Sequence, residues 1–178
     1  MPTLLNRSPF FDKPDEMIFR GDRVLVRANQ IILWVSLSLP RFNVVSPEAT
    51  PFPALLDTGY NHTLAMHERH LNEWARLRLD QLNILSAIHD RDQLVSLRAA
   101  SLWIHPNVRG LHEKLAQTIP YRIDAKRGIA VYPGSDFPRL PIFGLRAIAE
   151  NNLVLKVDGA KRRATLQTAR TWWPWFAS

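Results

Sequence analysis

Leu33, Val35, Leu37 and Leu39 alternate with Trp34, Ser36 and Ser38, the period-two signature of a half-buried strand, inside a mostly extended stretch over residues 24–39. Pro40, Pro47, Pro51 and Pro53 then punctuate a loop-rich approach to a second apolar segment, Ala54-Leu55-Leu56. Over residues 66–82 the period changes. Leu71, Trp74, Ala75, Leu79 and Leu82 fall near helical spacing with charged residues between them, which predicts a helix. Extended segments resume at 94–97 and 101–105, where Pro106 and Asn107 break the run, and again at 128–132, ended by Pro133-Gly134. Leu140-Pro141-Ile142-Phe143-Gly144 is a further apolar run and leads into a short helical pattern over 145–150. The last two extended runs, 153–157 and 163–167, flank Asp158-Gly159, a strong hairpin signal. The order of elements is mainly β with one or two helices, and neither an internal repeat nor a low-complexity segment interrupts it.

The length of 178 residues fits one domain with decorated ends: an N-terminal extension over 1–23, a domain over 24–168 and an aromatic tail over 169–178. Thirteen prolines against seven glycines favour many loop-bounded short segments over a helical bundle. No run of about 18 uncharged apolar residues is present, so no membrane span is expected. The N-terminal stretch carries Asp12, Lys13, Asp15 and Glu16 where a signal peptide needs an apolar core, so the chain reads as cytoplasmic. The absence of cysteine excludes disulfides, thiolate metal ligands and a cysteine nucleophile together. A net charge of +7 raises the question of nucleic acid, but the basic residues are scattered and cluster only at Lys161-Arg162-Arg163. A solvated basic face is the expectation, with no nucleic-acid partner. The tail Trp172-Trp173-Pro174-Trp175-Phe176 has three fates open to it: packing on the domain, contact with a partner subunit, or a membrane interface.

The chemistry concentrates in Phe52-Pro53-Ala54-Leu55-Leu56-Asp57-Thr58-Gly59, where an apolar strand delivers an aspartate into a Thr-Gly turn. The end of a buried strand holds a carboxylate in a low-dielectric setting, threonine offers a hydroxyl that braces nearby backbone, and glycine lets another chain approach closely. Other aspartates lack that lead-in. Asp158 lies in the predicted hairpin turn, and Asp80, Asp90, Asp92, Asp124 and Asp136 sit in polar surroundings. His62, His67 and His70 invite a metal reading, but His67-Glu68-Arg69-His70 places the second histidine one residue too early for the zinc-protease helix motif. Histidines on a polar helix face account for them, and no metal or cofactor is expected. No Gly-x-Ser-x-Gly elbow is present to support a serine nucleophile.

Ala54-Leu55-Leu56-Asp57-Thr58-Gly59 resembles the active-site signature of the retropepsin-like aspartic proteases. In that family a second apolar strand ends in glycine and precedes a short helix near the C-terminus. Ile142, Phe143 and Gly144, followed by Leu145-Arg146-Ala147-Ile148, look like that element, and the hairpin around Asp158-Gly159 suits the family's final strands. The likeness runs from Gln30 to Thr168. It implies a closed β-barrel or sandwich subunit and a homodimer in which two copies of Asp57 face each other, supported by Thr58 and Gly59. It also implies an aspartic endopeptidase acting on a polypeptide substrate. Two departures are visible: Tyr60 stands where the family places Ala or Ser, and residues 84–100, where a glycine-rich flap is expected, contain no glycine. The flap hairpin would instead be built around His89, Asp90, Arg91 and Asp92, which with Tyr60 are the expected substrate contacts. A non-catalytic dimerisation or peptide-binding module on the same fold is the alternative.

Overall fold

The computed structural model describes residues 1–40, 44–90, 92–134 and 137–169. The N-terminal part forms β1 (Thr3–Pro9), the hairpin β2 (Asp15–Phe19) and β3 (Asp22–Val26), and then β4 (Ile31–Ser38). Next come β5 (Phe52–Asp57), β6 (Leu64–His67) and helix α1 (Glu68–Glu73). The middle of the chain contributes β7 (Ile84–Asp90), β8 (Gln93–Arg98), β9 (Ser101–His105), β10 (Tyr121–Ile123) and β11 (Ile129–Tyr132). The chain continues through β12 (Ile142–Gly144), helix α2 (Leu145–Glu150), β13 (Leu153–Asp158) and β14 (Arg163–Thr168). The fold is mainly β, as the sequence pattern predicts. Among the described residues, no helix is long and apolar enough to cross a membrane.

Nine strands make one sheet in the order β10-β9-β4-β5-β12-β6-β11-β8-β7, with β1-β14-β13 and β2-β3 as smaller sheets. The closed barrel expected from the sequence is not found. Among the described residues β10 and β7 end the large sheet without pairing to each other. Neither edge is suited to closure: β10 is three residues long, and β7 is mostly exposed, with Ile84 at 62% and Leu85 at 49%.

β4 departs from its expected half-buried character because its polar face is covered as well. Leu33, Val35 and Leu37 are buried, and so are Ser36 and Ser38. Pairing with β9 explains this, since the Trp103 indole donates to Ser38 Oγ at 3.1 Å and the His105 ring bonds Ser36 Oγ at 2.8 Å. A serine satisfied across the ladder can sit in a core that would reject it unpaired. Burial pushes the His105 imidazole down to about 4.

The helix predicted over 66–82 is much shorter. β6 extends through His67, whose Nδ1 caps α1 by accepting from the Arg69 amide at 2.9 Å, and α1 ends at Glu73. Arg76 takes a left-handed conformation at φ 56°, which no α-helix accommodates, and only a single tight turn follows at Leu79–Gln81. Leu71, Trp74, Ala75 and Leu82 are nevertheless all buried, so the apolar spacing marked core positions correctly while the backbone between them turns. At the N-terminus, β1 pairs antiparallel with β14 and places Leu4 and Leu5 in the main core. The segment read as an extension therefore contributes two strands, and its boundary at residue 23 falls inside β3.

Candidate active site

Two strands meet where Asp57 ends β5. β12 lies between β5 and β6, parallel to the first, with Gly144 opposite Asp57, and antiparallel to the second. The crossing is tight. Gly144 N donates to Thr63 O at 3.2 Å, and Leu145 N donates to Tyr60 O at 2.8 Å. A Cβ built on Gly144 would overlap the carbonyl oxygens of both His62 and Tyr60, so only glycine lets these backbones pass. Ile142 and Phe143, just before it, are buried.

The turn after β5 is held by the aspartate itself. Gly59 N donates to Asp57 Oδ1 at 2.8 Å and Tyr60 N to Asp57 O at 3.2 Å. Room explains the glycine here, because a Cβ on Gly59 would come within 3.2 Å of Asp57 Oδ1. Asp57 is half-buried, whereas Thr58 and Gly59 are exposed. The strand thus fixes the carboxylate from behind and leaves the turn open in front.

The remaining expected contacts divide. A hairpin stands at β7–β8, with Asp90 opposite Gln93 at its tip and Asp92 in the turn at φ 61°. His89 is exposed there, and Arg91 lies outside the described residues. Tyr60 and Asp90 are joined through Tyr132, which the sequence reading marked only as the end of the extended run over 128–132. The Tyr132 hydroxyl donates to Asp90 Oδ2 and bonds the Tyr60 hydroxyl at 2.7 Å. Because the Tyr132 hydroxyl donates its hydrogen bond to Asp90, its oxygen accepts from Tyr60. Burial, and then the bonds to Asp90 and Tyr60, hold the Tyr132 phenol far above its ordinary value, so it stays protonated. The hairpin tip is thereby tied to the turn that carries Asp57.

Asp57 also lines a cleft of about 910 Å³. Leu55, Leu140 and Ile142 line it together with Asp22, His70 and Trp74. Asp22 accepts from the Trp74 indole at 3.0 Å and from Arg69 Nη2 at 2.7 Å, and these partners hold its carboxyl below the usual carboxylate range. The His70 ring lies 4.2 Å from the Trp74 ring, and burial, with the charges of His67 and Arg69, pushes it down to about 4.

His67 has spent Nδ1 on the α1 cap, and His62 packs instead on Tyr60, with ring centroids 5.2 Å apart. Among the described residues no group of three histidine, aspartate or glutamate side chains is placed to hold a metal ion. The other aspartates are engaged elsewhere: Asp80 pairs with Arg78, Asp124 with Lys126 and Asp158 with Lys161, while Asp136 lies outside the described residues. Compared with known proteins, the chain matches no family model, no curated protein and no solved structure.

Proposed function

We propose that the chain is one subunit of a retropepsin-like aspartic endopeptidase, completed by a second copy that supplies the facing Asp57. The observation that carries this reading is the register of β5 with β12. It sets Asp57 at a strand end opposite Gly144, followed by an exposed Thr58-Gly59 turn. The order of strand, glycine and short helix at Ile142–Gly144 and Leu145–Glu150 supports it from the second arm. Each chain offers one such aspartate, and a two-fold axis at the open turn would bring two together without further sequence.

The chemistry would then follow that of aspartic proteases in general, in which two carboxylates about 3 Å apart share one proton. The ionised carboxylate takes a proton from a water molecule whose oxygen attacks the peptide carbonyl carbon. The protonated carboxyl gives its proton to the carbonyl oxygen. The tetrahedral diol then collapses: the protonated carboxyl gives its proton to the nitrogen, and the ionised carboxylate takes one from a diol hydroxyl. The C–N bond breaks to release the amine and the new carboxyl group, with the dyad again holding one proton.

Peptide cleavage by wild-type and Asp57→Asn protein tests the proposal. Asparagine keeps an Oδ1 to accept from Gly59 N, so the thermal midpoint should hold while cleavage falls by at least about 100-fold. Specific activity should also fall on dilution below the dimer dissociation constant. An Asp57→Asn protein that cleaves at the wild-type rate would overturn the assignment. A wild type that binds peptides without cutting them would favour the peptide-binding alternative.

A further inference from the structure

The cleft lined by Asp57 carries both apolar and basic side chains. Leu140 and Ile142 are buried and line it together with Asp57, as do Arg23, Arg27, Arg69 and Arg139. Asp57 and Asp22 are the carboxylates among its lining residues, and Asp22 is already bound by Trp74 and Arg69. Arg69 is shared with Glu73 at 2.8 Å, and Arg23 faces Glu16 at 3.6 Å. Arg27 and Arg139 are different. Both are exposed, and among the described residues neither has a carboxylate within ion-pair distance.

We propose that this cleft selects acidic peptides, in which an apolar side chain enters beside Asp57 and flanking Asp or Glu side chains pair with Arg27 and Arg139. This deepens the protease reading and rests on it for the position of the reacting end. The guanidinium fork matches a carboxylate in two parallel hydrogen bonds, which a neutral or basic flank cannot form. Each exposed pair contributes a factor of up to about 5 in affinity, so two together give roughly 10-fold. The net charge of +7 adds attraction at long range that salt weakens.

The test uses fluorescein-labelled decapeptides with a central Leu-Phe pair flanked on both sides by Glu, Gln or Lys. Anisotropy titrations with full-length Asp57→Asn protein read binding without cleavage. The Glu peptide should bind about 10-fold more tightly than the Gln peptide, with the Lys peptide weakest and the spread narrowing as salt rises. An Arg27→Gln/Arg139→Gln double variant should lose the spread, and an Arg27→Glu/Arg139→Glu variant should favour the Lys peptide, a reversal that misfolding cannot produce. Equal binding of all three peptides, or binding of none, overturns the selection. Cleavage of the same peptides by wild-type protein separates the two claims. Preferred binding of the Glu peptide without cleavage supports the selection and overturns the protease reading, whereas cleavage indifferent to flanking charge overturns the selection alone.

Discussion

The hydroxyl of Tyr132 joins two elements that lie far apart in the chain, the turn after β5 and the tip of the β7–β8 hairpin. Replacing Tyr132 with Phe keeps the ring against Phe137, whose centroid is 5.0 Å away, but leaves Asp90 and Tyr60 without their shared partner. The expected cost is about 1–3 kcal/mol of stability. Hydrogen exchange should show the loss locally, with β7 and β8 amides exchanging faster than those of β4 or β9; uniform acceleration would contradict a local tie. The strand-to-turn setting of Asp57 was legible in the sequence because the apolar lead-in, the carboxylate and the turn glycine are contiguous. Tyr132 was not, since its role depends on β11 pairing with both β6 and β8, which no local pattern records. For the same reason Tyr60 and Asp90 read as separate substrate contacts, although the structure bonds them through a third residue.

Among the elements, β12 has the most consequence for its length. Three residues bridge β5 and β6, and the last of them tolerates no Cβ. Gly144→Ala should therefore force the backbones at Tyr60 and His62 apart and lose about 3 kcal/mol or more, read from urea unfolding. A variant within about 0.5 kcal/mol of wild type would show that the crossing relaxes easily. The β13–β14 hairpin and α2 were readable because turn chemistry and short-range spacing specify them. The segment after β6 misled because apolar residues at helical spacing also suit a turning chain whose side chains all reach one core. The reversal at Arg76 leaves no signature in hydrophobic periodicity. The paired serines of β4 misled in the opposite sense, looking solvent-facing because their partners on β9 lie beyond any local window.

For the molecule as a whole, acid is the informative variable. His70 and His105 both resist protonation in the fold, with values near 4, whereas an unfolded chain protonates them near 6.5. Their contribution is complete above about pH 6.5 and is lost progressively down to about pH 4. The loss should be on the order of 2 kcal/mol for the pair, reduced from the ideal linkage value because both rings retain some contact with water. The thermal midpoint should fall between pH 7 and pH 4.5, and a His70→Phe/His105→Gln double variant should flatten that slope. A carboxylate dyad that must keep one proton would gain activity over the same interval, so the usable pH range would be bounded by the fold on the acid side. The sheet order has a kinetic consequence as well. β5 and β6 are near neighbours in the chain, yet β12 separates them, so residues 142–144 must arrive before the centre of the sheet exists. Such long-range closure is slow to form and unavailable to a growing chain. A chain cut after residue 141 should show no cooperative unfolding transition by circular dichroism. On the ribosome, the strand carrying Asp57 would wait for its neighbour until synthesis has passed Gly144, so any site built on that strand pair would stay unformed while most of the chain emerges.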